Sequence, residues 1–192
     1  MPNLLTIIRI IFASLIALIL IFFDSKFAYL ISFILFCLAG MTDFFDGWLA
    51  RRKNQISDLG RMLDPIADKI LVISTLVILM SNNVIESYNI IAALIIIYRE
   101  IFISGLREFL GDKSSVIKVT NLAKLKTTIQ FIAILSFLGS QIINDYFMYT
   151  HVINIFNSFI CTFLIWMTSF ISLLTGFNYI KSAHNYLNTK KK

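Results

Sequence analysis

Four aspartates stand close together in the sequence, in two pairs. Asp43 and Asp46 are three residues apart, and Asp64 and Asp68 are four residues apart. On an α-helix either spacing puts the two carboxylates on one face. Four carboxylates in so short a stretch repel one another unless cations compensate them, and oxygen ligands without a nearby His or Cys suit Mg²⁺ or Mn²⁺. Two such ions can stabilise both the attacking and the leaving oxygen of a phosphoryl displacement.

For one of the four aspartates, helix capping is an alternative to metal binding. Asp64 precedes Pro65, and Asp followed by Pro is common where a helix begins, so this residue has helix capping as an alternative. Asp43, Asp46 and Asp68 lie in apolar surroundings, where a carboxylate is costly and indicates function. We therefore expect a metal site built from both pairs.

Two small residues and then a run of basic residues follow the first aspartate pair in the sequence. Gly47 and Ala50 lie on or beside the helix face of Asp46, where they would let a bulky group approach the backbone or pack against another helix. Arg51 is the first residue of the basic run that ends this segment, and such a run also satisfies the positive-inside rule.

The segments that must position these side chains are long and apolar. Six of them are close to the ~20 residues that cross a bilayer as a helix, and none shows the alternation of a barrel strand. We therefore predict an all-α, polytopic membrane protein with six transmembrane helices. The predicted segments are residues 4–23, 27–48, 66–82, 88–109, 125–143 and 152–180.

Charge sets the predicted orientation. With six spans, one side of the membrane receives both termini and most of the basic residues, whereas the other side receives a single base, Lys26. This asymmetry predicts cytoplasmic termini. The basic residues on the first side are Arg51, Arg52, Lys53, Arg61, Lys113, Lys118, Lys124, Lys126, Lys181 and residues 190–192.

Composition excludes several classes of protein. Hydrophobic residues make up 58% of the 192, and charged residues 15%, which excludes a disordered chain and an ordinary soluble domain. Two cysteines in apolar runs do not make a disulfide scaffold. The net charge of +6 indicates anionic lipid headgroups or phosphate substrates, and we expect no nucleic-acid partner.

The aspartates belong to a longer pattern, D-x2-D-G-x2-A-R-x8-G-x3-D-x3-D, which resembles the signature of the CDP-alcohol phosphatidyltransferase family. Every spacing in the pattern is intact. Its fixed positions here are Asp43, Asp46, Gly47, Ala50, Arg51, Gly60, Asp64 and Asp68. The resemblance implies that residues 1–192 form a single integral-membrane domain of this family.

Other segments resemble the bacterial phosphatidylglycerophosphate synthases of the family. They are the opening Pro-Asn-Leu-Leu-Thr-Ile-Ile-Arg at residues 2–9, the Arg-Glu pairs at 99–100 and 107–108, and the segment 124–130. Ala123 stands where a Gly is frequent, and the Pro that often follows the first-span Arg is absent. The resemblance implies a location in a bacterial cytoplasmic membrane, with the active site facing the cytoplasm.

The resemblance also implies an activity: phosphatidyl transfer from CDP-diacylglycerol to sn-glycerol 3-phosphate, with CMP as the leaving group. It implies Mg²⁺ or Mn²⁺, as two ions held by the four aspartates, with Asp68 also acting as general base. Members of the family are often homodimers, although no interface can be read from this sequence.

Five residues match family positions around CDP-diacylglycerol: Asn3, Thr6, Gly47, Arg51 and Ser57. On their own, Asn3 and Thr6 would be ordinary capping groups at the start of a helix, and Ser57 a solvated loop residue.

Arg9 lies a short way into the first apolar segment. Its simplest interpretation is an arginine whose side chain extends along the apolar surface to reach water.

A phosphate-bearing acceptor needs cations of its own, and three are candidates. Arg99 and Arg107 are eight apart and share a helix face, and Lys124 opens the fifth segment. We expect all three to bind the acceptor phosphate. The alternatives are an ion pair of Arg99 with Glu100 or Glu108, and the positive-inside rule for the other two.

Rival functions remain at this stage. Another acceptor within the family (serine, inositol phosphate or phosphatidylglycerol) would use the same donor chemistry. A membrane prenyltransferase would need a second Asp motif and more spans. A divalent-cation transporter would place acidic residues at mid-membrane on several helices, whereas here they gather at the ends of two consecutive segments.

Overall fold

In a computed structural model, the backbone is described for residues 2–53, 58–111, 121–143 and 151–189, and the side chains for residues 6–42, 63–111, 122–142 and 157–184. The regular structure of this part of the chain is helical throughout, which confirms the all-α class. Each of the predicted segments coincides with one helix. The helices are α1 Pro2–Phe22, α2 Lys26–Lys53, α3 Asp58–Ser81, α4 Asn89–Leu110, α5 Asn121–Ile143 and α6 His151–Thr189.

Apolar side chains cover the outside of these helices. Phe22 and Phe109 are 72% and 73% exposed, while Thr75, Thr168 and Thr175 are buried. Exposed apolar side chains together with buried polar ones are typical of a membrane-associated protein. Among the residues whose side chains are described, three helical stretches are long and apolar enough to cross a membrane, which supports membrane association. They are Asn89–Leu110, Leu122–Ile142 and Asn157–His184, and the shorter apolar stretches are Thr6–Phe22 and Lys26–Thr42.

The chain forms two compact units, and the first comprises Met1–Glu86 with Ile134–Cys161. Within it α1 packs against both α2 and α3. The fully buried side chains on these three helices come from one stripe of each helix. The larger ones are Ile16, Leu20, Phe36, Leu71, Leu76 and Leu79.

The end of α3 is fixed by two neighbouring asparagines. Asn83 has a φ of 55°, a conformation that Asn tolerates better than most residues and that ends the helix. The side-chain amide of Asn82 donates to the Leu20 carbonyl at 2.9 Å and to the Tyr29 hydroxyl at 3.3 Å. This end of α3 is therefore held against both α1 and α2.

The start of α3 differs from the prediction. The helix begins at Asp58, so Asp64 and Pro65 lie inside it rather than at its first turn. The capping alternative for Asp64 is therefore wrong, because a residue in the second turn faces backbone N–H groups that already have partners.

The second unit comprises Ser87–Ala133 with Thr162–Lys192. In it α4 and α6 run side by side in the same direction, since Asn89 contacts Thr162 at one end and Arg107 contacts Tyr179 near the other. A buried cluster holds the second end together. Its members are Ile103, Leu110, Tyr179 and Ala183.

Two glycines of α4 have opposite roles and predict opposite effects of substitution. Gly111 ends the helix with a φ of 52°, and its N–H meets the carbonyls of Arg107 and Glu108. Gly105 lies within the helix with nothing near its would-be Cβ. We expect Gly111→Ala to cost about 1–2 kcal/mol, and Gly105→Ala to be neutral or to stabilise by up to about 1 kcal/mol. Thermal unfolding in one detergent measures both, and equal shifts of the two variants would contradict this account.

Candidate active site

Two side chains of α1 contact the aspartate pair of α3. The Thr6 hydroxyl donates to Oδ1 of Asp64. Nη1 of Arg9 donates to Oδ1 of Asp68 at 2.6 Å. Because Thr6 and Arg9 are three residues apart and the aspartates four, each pair occupies successive turns of its helix. The first helix thus holds one oxygen of each carboxylate.

Arg9 is buried, with 1% of its side chain exposed, whereas 46% of the Asp68 side chain is exposed. The interpretation that Arg9 extends along the surface to water is therefore wrong. A buried guanidinium is costly without a compensating charge, and the Asp68 carboxylate supplies that charge at hydrogen-bond distance.

Thr6 is also fully buried. It lies in the second turn of α1, which begins at Pro2, and its hydroxyl is directed to Asp64 on another helix. Because it lies beyond the first turn and its hydroxyl donates to another helix, Thr6 is not a capping group of α1. Any role of Thr6 in a substrate site must be compatible with its hydrogen bond to Asp64.

The donor chemistry of the α3 pair fits a hard divalent cation. Asp64 and Asp68 offer carboxylate oxygens one turn apart, with Asp68 accessible from one side. Among residues whose side chains are described, no group of three or more His, Cys, Asp or Glu is close enough to hold a metal. The side chains of several predicted site residues lie outside that part of the chain, so the four-aspartate site stays a prediction. These are Asn3, Asp43, Asp46, Gly47, Ala50, Arg51 and Ser57.

A second polar cluster joins three helices of the other unit. The Glu100 carboxylate accepts from the Lys126 ammonium and lies 3.4 Å from Nη1 of Arg99. Arg99 also donates from Nη2 to the Thr175 hydroxyl at 3.3 Å. The side chains of Lys126 and Arg99 are 3% and 13% exposed. The ion pair with Glu100, which the sequence offered as the alternative to acceptor binding by Arg99, is thus present in the structure.

The other two predicted acceptor residues are exposed. Arg107 donates from Nη2 to the Tyr179 hydroxyl at 3.0 Å, and its guanidinium carbon lies 5.2 Å from the centre of the Tyr179 ring. The guanidinium carbon of Arg99 lies 5.6 Å from the same ring. Arg99 and Arg107 therefore meet at one aromatic side chain, whereas Lys124 lies at the exposed start of α5.

Sequence reasoning did not single out Thr175 and Tyr179. They are polar residues four apart in an apolar segment, a spacing that places them on one helix face. That spacing was the sequence feature that could have indicated a shared polar face on α6. Their pairing with the two arginines of α4 depends on how α4 packs against α6, which the spacing alone does not give.

The family model for CDP-alcohol phosphatidyltransferases matches residues 1–173 of the chain. The chain belongs to the CDP-alcohol phosphatidyltransferase family. It is therefore a phosphatidyltransferase, and the matched range includes the aspartate pattern at residues 43–68.

Named relatives match almost the whole chain. A CDP-diacylglycerol–glycerol-3-phosphate 3-phosphatidyltransferase of Cereibacter sphaeroides is 36% identical, over 99% of this chain and 98% of the relative. Proteins of the same name from Rickettsia bellii and Rickettsia typhi are 37% and 38% identical, over 97% of this chain and 96% and 98% of their own lengths. The family resemblance therefore extends well beyond the signature.

The contact between Arg9 and Asp68 predicts a coupled effect on stability. Arg9→Met removes one charged partner of a half-exposed carboxylate and should cost roughly 1–3 kcal/mol, less than the 3–5 of a fully buried broken pair. Asp68→Asn should also destabilise, since it removes the negative charge that lies 2.6 Å from the buried guanidinium.

The double variant decides whether the pair itself is responsible. Because it removes both charges, its loss of stability should be smaller than the sum of the two single losses. Thermal unfolding in detergent measures the three variants, and additive losses would show that the two residues act independently.

Proposed function

We propose that the protein transfers the phosphatidyl group of CDP-diacylglycerol to sn-glycerol 3-phosphate, giving phosphatidylglycerol phosphate and CMP. The observation that carries the proposal is the similarity to relatives named for this reaction, at 36–38% identity over 97–99% of the chain. Because the match includes the segments outside the family signature, it supports the acceptor as well as the donor.

The proposed route is a single direct displacement. A hydroxyl of glycerol 3-phosphate attacks the phosphorus that bears the diacylglycerol, a new P–O bond forms, and the bond to the CMP oxygen breaks. The two cysteines, Cys37 and Cys161, lie on apolar helices, which disfavours a thiolate nucleophile. Asp68 receives the proton of the attacking hydroxyl in this route.

The proposed metal ligands are the four aspartates, with two Mg²⁺ or Mn²⁺ ions. When bound, such ions supply charge stabilisation for the diphosphate and the displaced oxygen. Thr6 and Arg9 support the role of the α3 pair, because each holds one carboxylate oxygen and so restricts the orientation of the ligands.

The proposed residues for CDP-diacylglycerol are Asn3, Thr6, Gly47, Arg51 and Ser57. Arg51 provides a fixed positive charge for the diphosphate. Thr6 acts on the substrate indirectly, because its hydroxyl donates a hydrogen bond to Asp64.

The proposed residues for the acceptor phosphate are Arg99, Arg107 and Lys124. The exposure of Arg107 and Lys124 supports this role. Arg99 shares Glu100 with Lys126 and meets Arg107 at the Tyr179 ring, so two guanidinium groups lie near one another. A phosphate monoester carries about two negative charges near pH 7 and complements such a pair of cations.

The proposed topology has six transmembrane helices with both termini in the cytoplasm of a bacterium, in one functional domain of residues 1–192. The concentration of basic residues on one side of the six segments supports the orientation. The bacterial sources of the relatives support an inner-membrane location.

The metal assignment predicts the effect of one amide substitution. Asp64→Asn keeps the side chain's size but removes a ligand charge, so CMP release from CDP-diacylglycerol should fall roughly 10³-fold while the protein still purifies. Asp24→Asn, at an exposed aspartate outside the pattern, is the matched control. Wild-type turnover of Asp64→Asn at saturating Mg²⁺ would overturn the assignment.

The acceptor assignment predicts a selective change in KM. Arg107→Ala and Lys124→Ala should each raise the KM for glycerol 3-phosphate about tenfold or more, because each removes a charge-assisted contact with the phosphate. The KM for CDP-diacylglycerol should change less than about twofold.

Lys181→Ala, at an exposed lysine of α6, is the control for a general loss of positive charge. Equal changes in both KM values would contradict the assignment. Turnover of glycerol, serine or phosphatidylglycerol at the rate of glycerol 3-phosphate would overturn the proposed acceptor itself.

A further inference from the structure

Tyr179 is a buried tyrosine on α6, where the other aromatic side chains between residues 157 and 184 are largely exposed. It is 3% exposed, whereas Phe170 and Phe177 on the same helix are 60% and 68% exposed. Its ring packs in the cluster with Ile103 and Leu110. A buried tyrosine requires a partner for its hydroxyl, and here the partner is the Arg107 guanidinium at 3.0 Å.

The ring also brings two like charges to one place. The guanidinium carbons of Arg99 and Arg107 lie 5.6 Å and 5.2 Å from its centre. Both distances are within the ~6 Å over which the negative face of an aromatic ring attracts a cation. Thr175, one turn before Tyr179, accepts from Arg99 at 3.3 Å. One face of α6 thus supplies neutral contacts to both arginines of α4.

The neutrality of these contacts has a chemical consequence. Arg99 also has the Glu100 carboxylate at 3.4 Å, so the consequence applies to Arg107, whose described contacts are with the hydroxyl and ring of Tyr179. A carboxylate partner would fix an arginine and also cancel its charge, so it would compete with an anionic ligand. A hydroxyl and an aromatic ring fix the guanidinium and leave its charge in place. Arg107 has five N–H donors, and the bond to Tyr179 engages one nitrogen, Nη2. Arg107 is also exposed, so a ligand can approach it.

We propose that Tyr179 is a positioning residue for the acceptor phosphate, which orients Arg107 through its hydroxyl and holds Arg99 and Arg107 at a fixed separation through its ring. The inference rests on the proposed function, in which these arginines bind the phosphate of glycerol 3-phosphate. Tyr179 touches the arginines and acts on the substrate through them.

The test uses the full-length protein in detergent with both substrates varied. Tyr179→Phe keeps the ring and its packing but removes the acceptor of the Arg107 bond. The KM for glycerol 3-phosphate should rise about five- to tenfold, as expected for the loss of a hydrogen bond to a charged group. The KM for CDP-diacylglycerol and kcat should each stay within about twofold.

The matched control is Tyr98→Phe. Tyr98 directly precedes Arg99 on α4, is 65% exposed, and loses the same hydroxyl in this substitution. All three kinetic constants should be unchanged. An equal rise in the glycerol 3-phosphate KM for both variants would overturn the proposal, because such a rise would not depend on the bond between Tyr179 and Arg107.

A double-variant cycle separates this proposal from the one on which it rests. In the Arg107→Ala background, Tyr179→Phe should alter the glycerol 3-phosphate KM less than about twofold, because the residue it orients is gone. If Arg107→Ala alone leaves that KM unchanged, the acceptor assignment fails and the role of Tyr179 fails with it. If Arg107→Ala raises the glycerol 3-phosphate KM, and Tyr179→Phe raises it in the Arg107→Ala background by the same factor as in the wild type, only the role of Tyr179 fails.

A purely structural role of Tyr179 would give a different pattern of stability and KM changes. Tyr179→Leu removes both the hydroxyl and the ring, so it should raise the glycerol 3-phosphate KM further than Tyr179→Phe, because the contact with Arg99 is lost too. Thermal unfolding is measured for every variant. A fall in thermal stability with parallel losses for both substrates would overturn the proposal.

Discussion

The ion pair between Arg9 and Asp68 links the first helix of the chain to the third. A guanidinium with 1% of its side chain exposed needs a negative charge close by, and Asp68 meets it at 2.6 Å. The contact of Thr6 with Asp64 lies one turn away along the same two helices. Together these contacts set the register of α1 against α3. They also fix one oxygen of each carboxylate, so the same interactions hold the helices and orient the candidate metal ligands.

The second unit compensates its buried charges in a different way. Lys126 and Arg99 share the carboxylate of Glu100, and the remaining contacts of Arg99 and Arg107 are with hydroxyl groups and an aromatic ring. The positive charge of Arg107 is therefore held in place by neutral groups, whereas Arg99 and Lys126 share one carboxylate. Such an arrangement is unfavourable for packing alone and suits a region that receives an anion.

Much of this architecture follows from sequence patterns. The six apolar runs predict the helices, and the eight-residue spacing of Arg99 and Arg107 predicts their shared face, which the contacts with Tyr179 bear out. The contact of Arg99 with Glu100 is the alternative that the sequence offered beside acceptor binding, since an arginine in an apolar segment requires a partner.

Other features depend on tertiary contacts that no local pattern contains. Asp64 with Pro65 has the local signature of a helix start, yet α3 begins at Asp58. Arg9 is near enough to a helix end to reach water, and only the presence of α3 beside α1 makes burial the better solution. The four-residue spacing of Thr175 and Tyr179 gives their shared face, but their pairing with the arginines depends on how α4 lies against α6.

The contact between Lys126 and Glu100 bears on how the protein is made. Glu100 precedes Lys126 by 26 residues, so the carboxylate is synthesised and can enter the membrane with α4 before the ammonium arrives with α5. A helix that carries a lysine near its start enters an apolar environment at lower cost when its counter-charge is already present. Chain order therefore favours stepwise assembly, in which α4 provides the docking partner for α5.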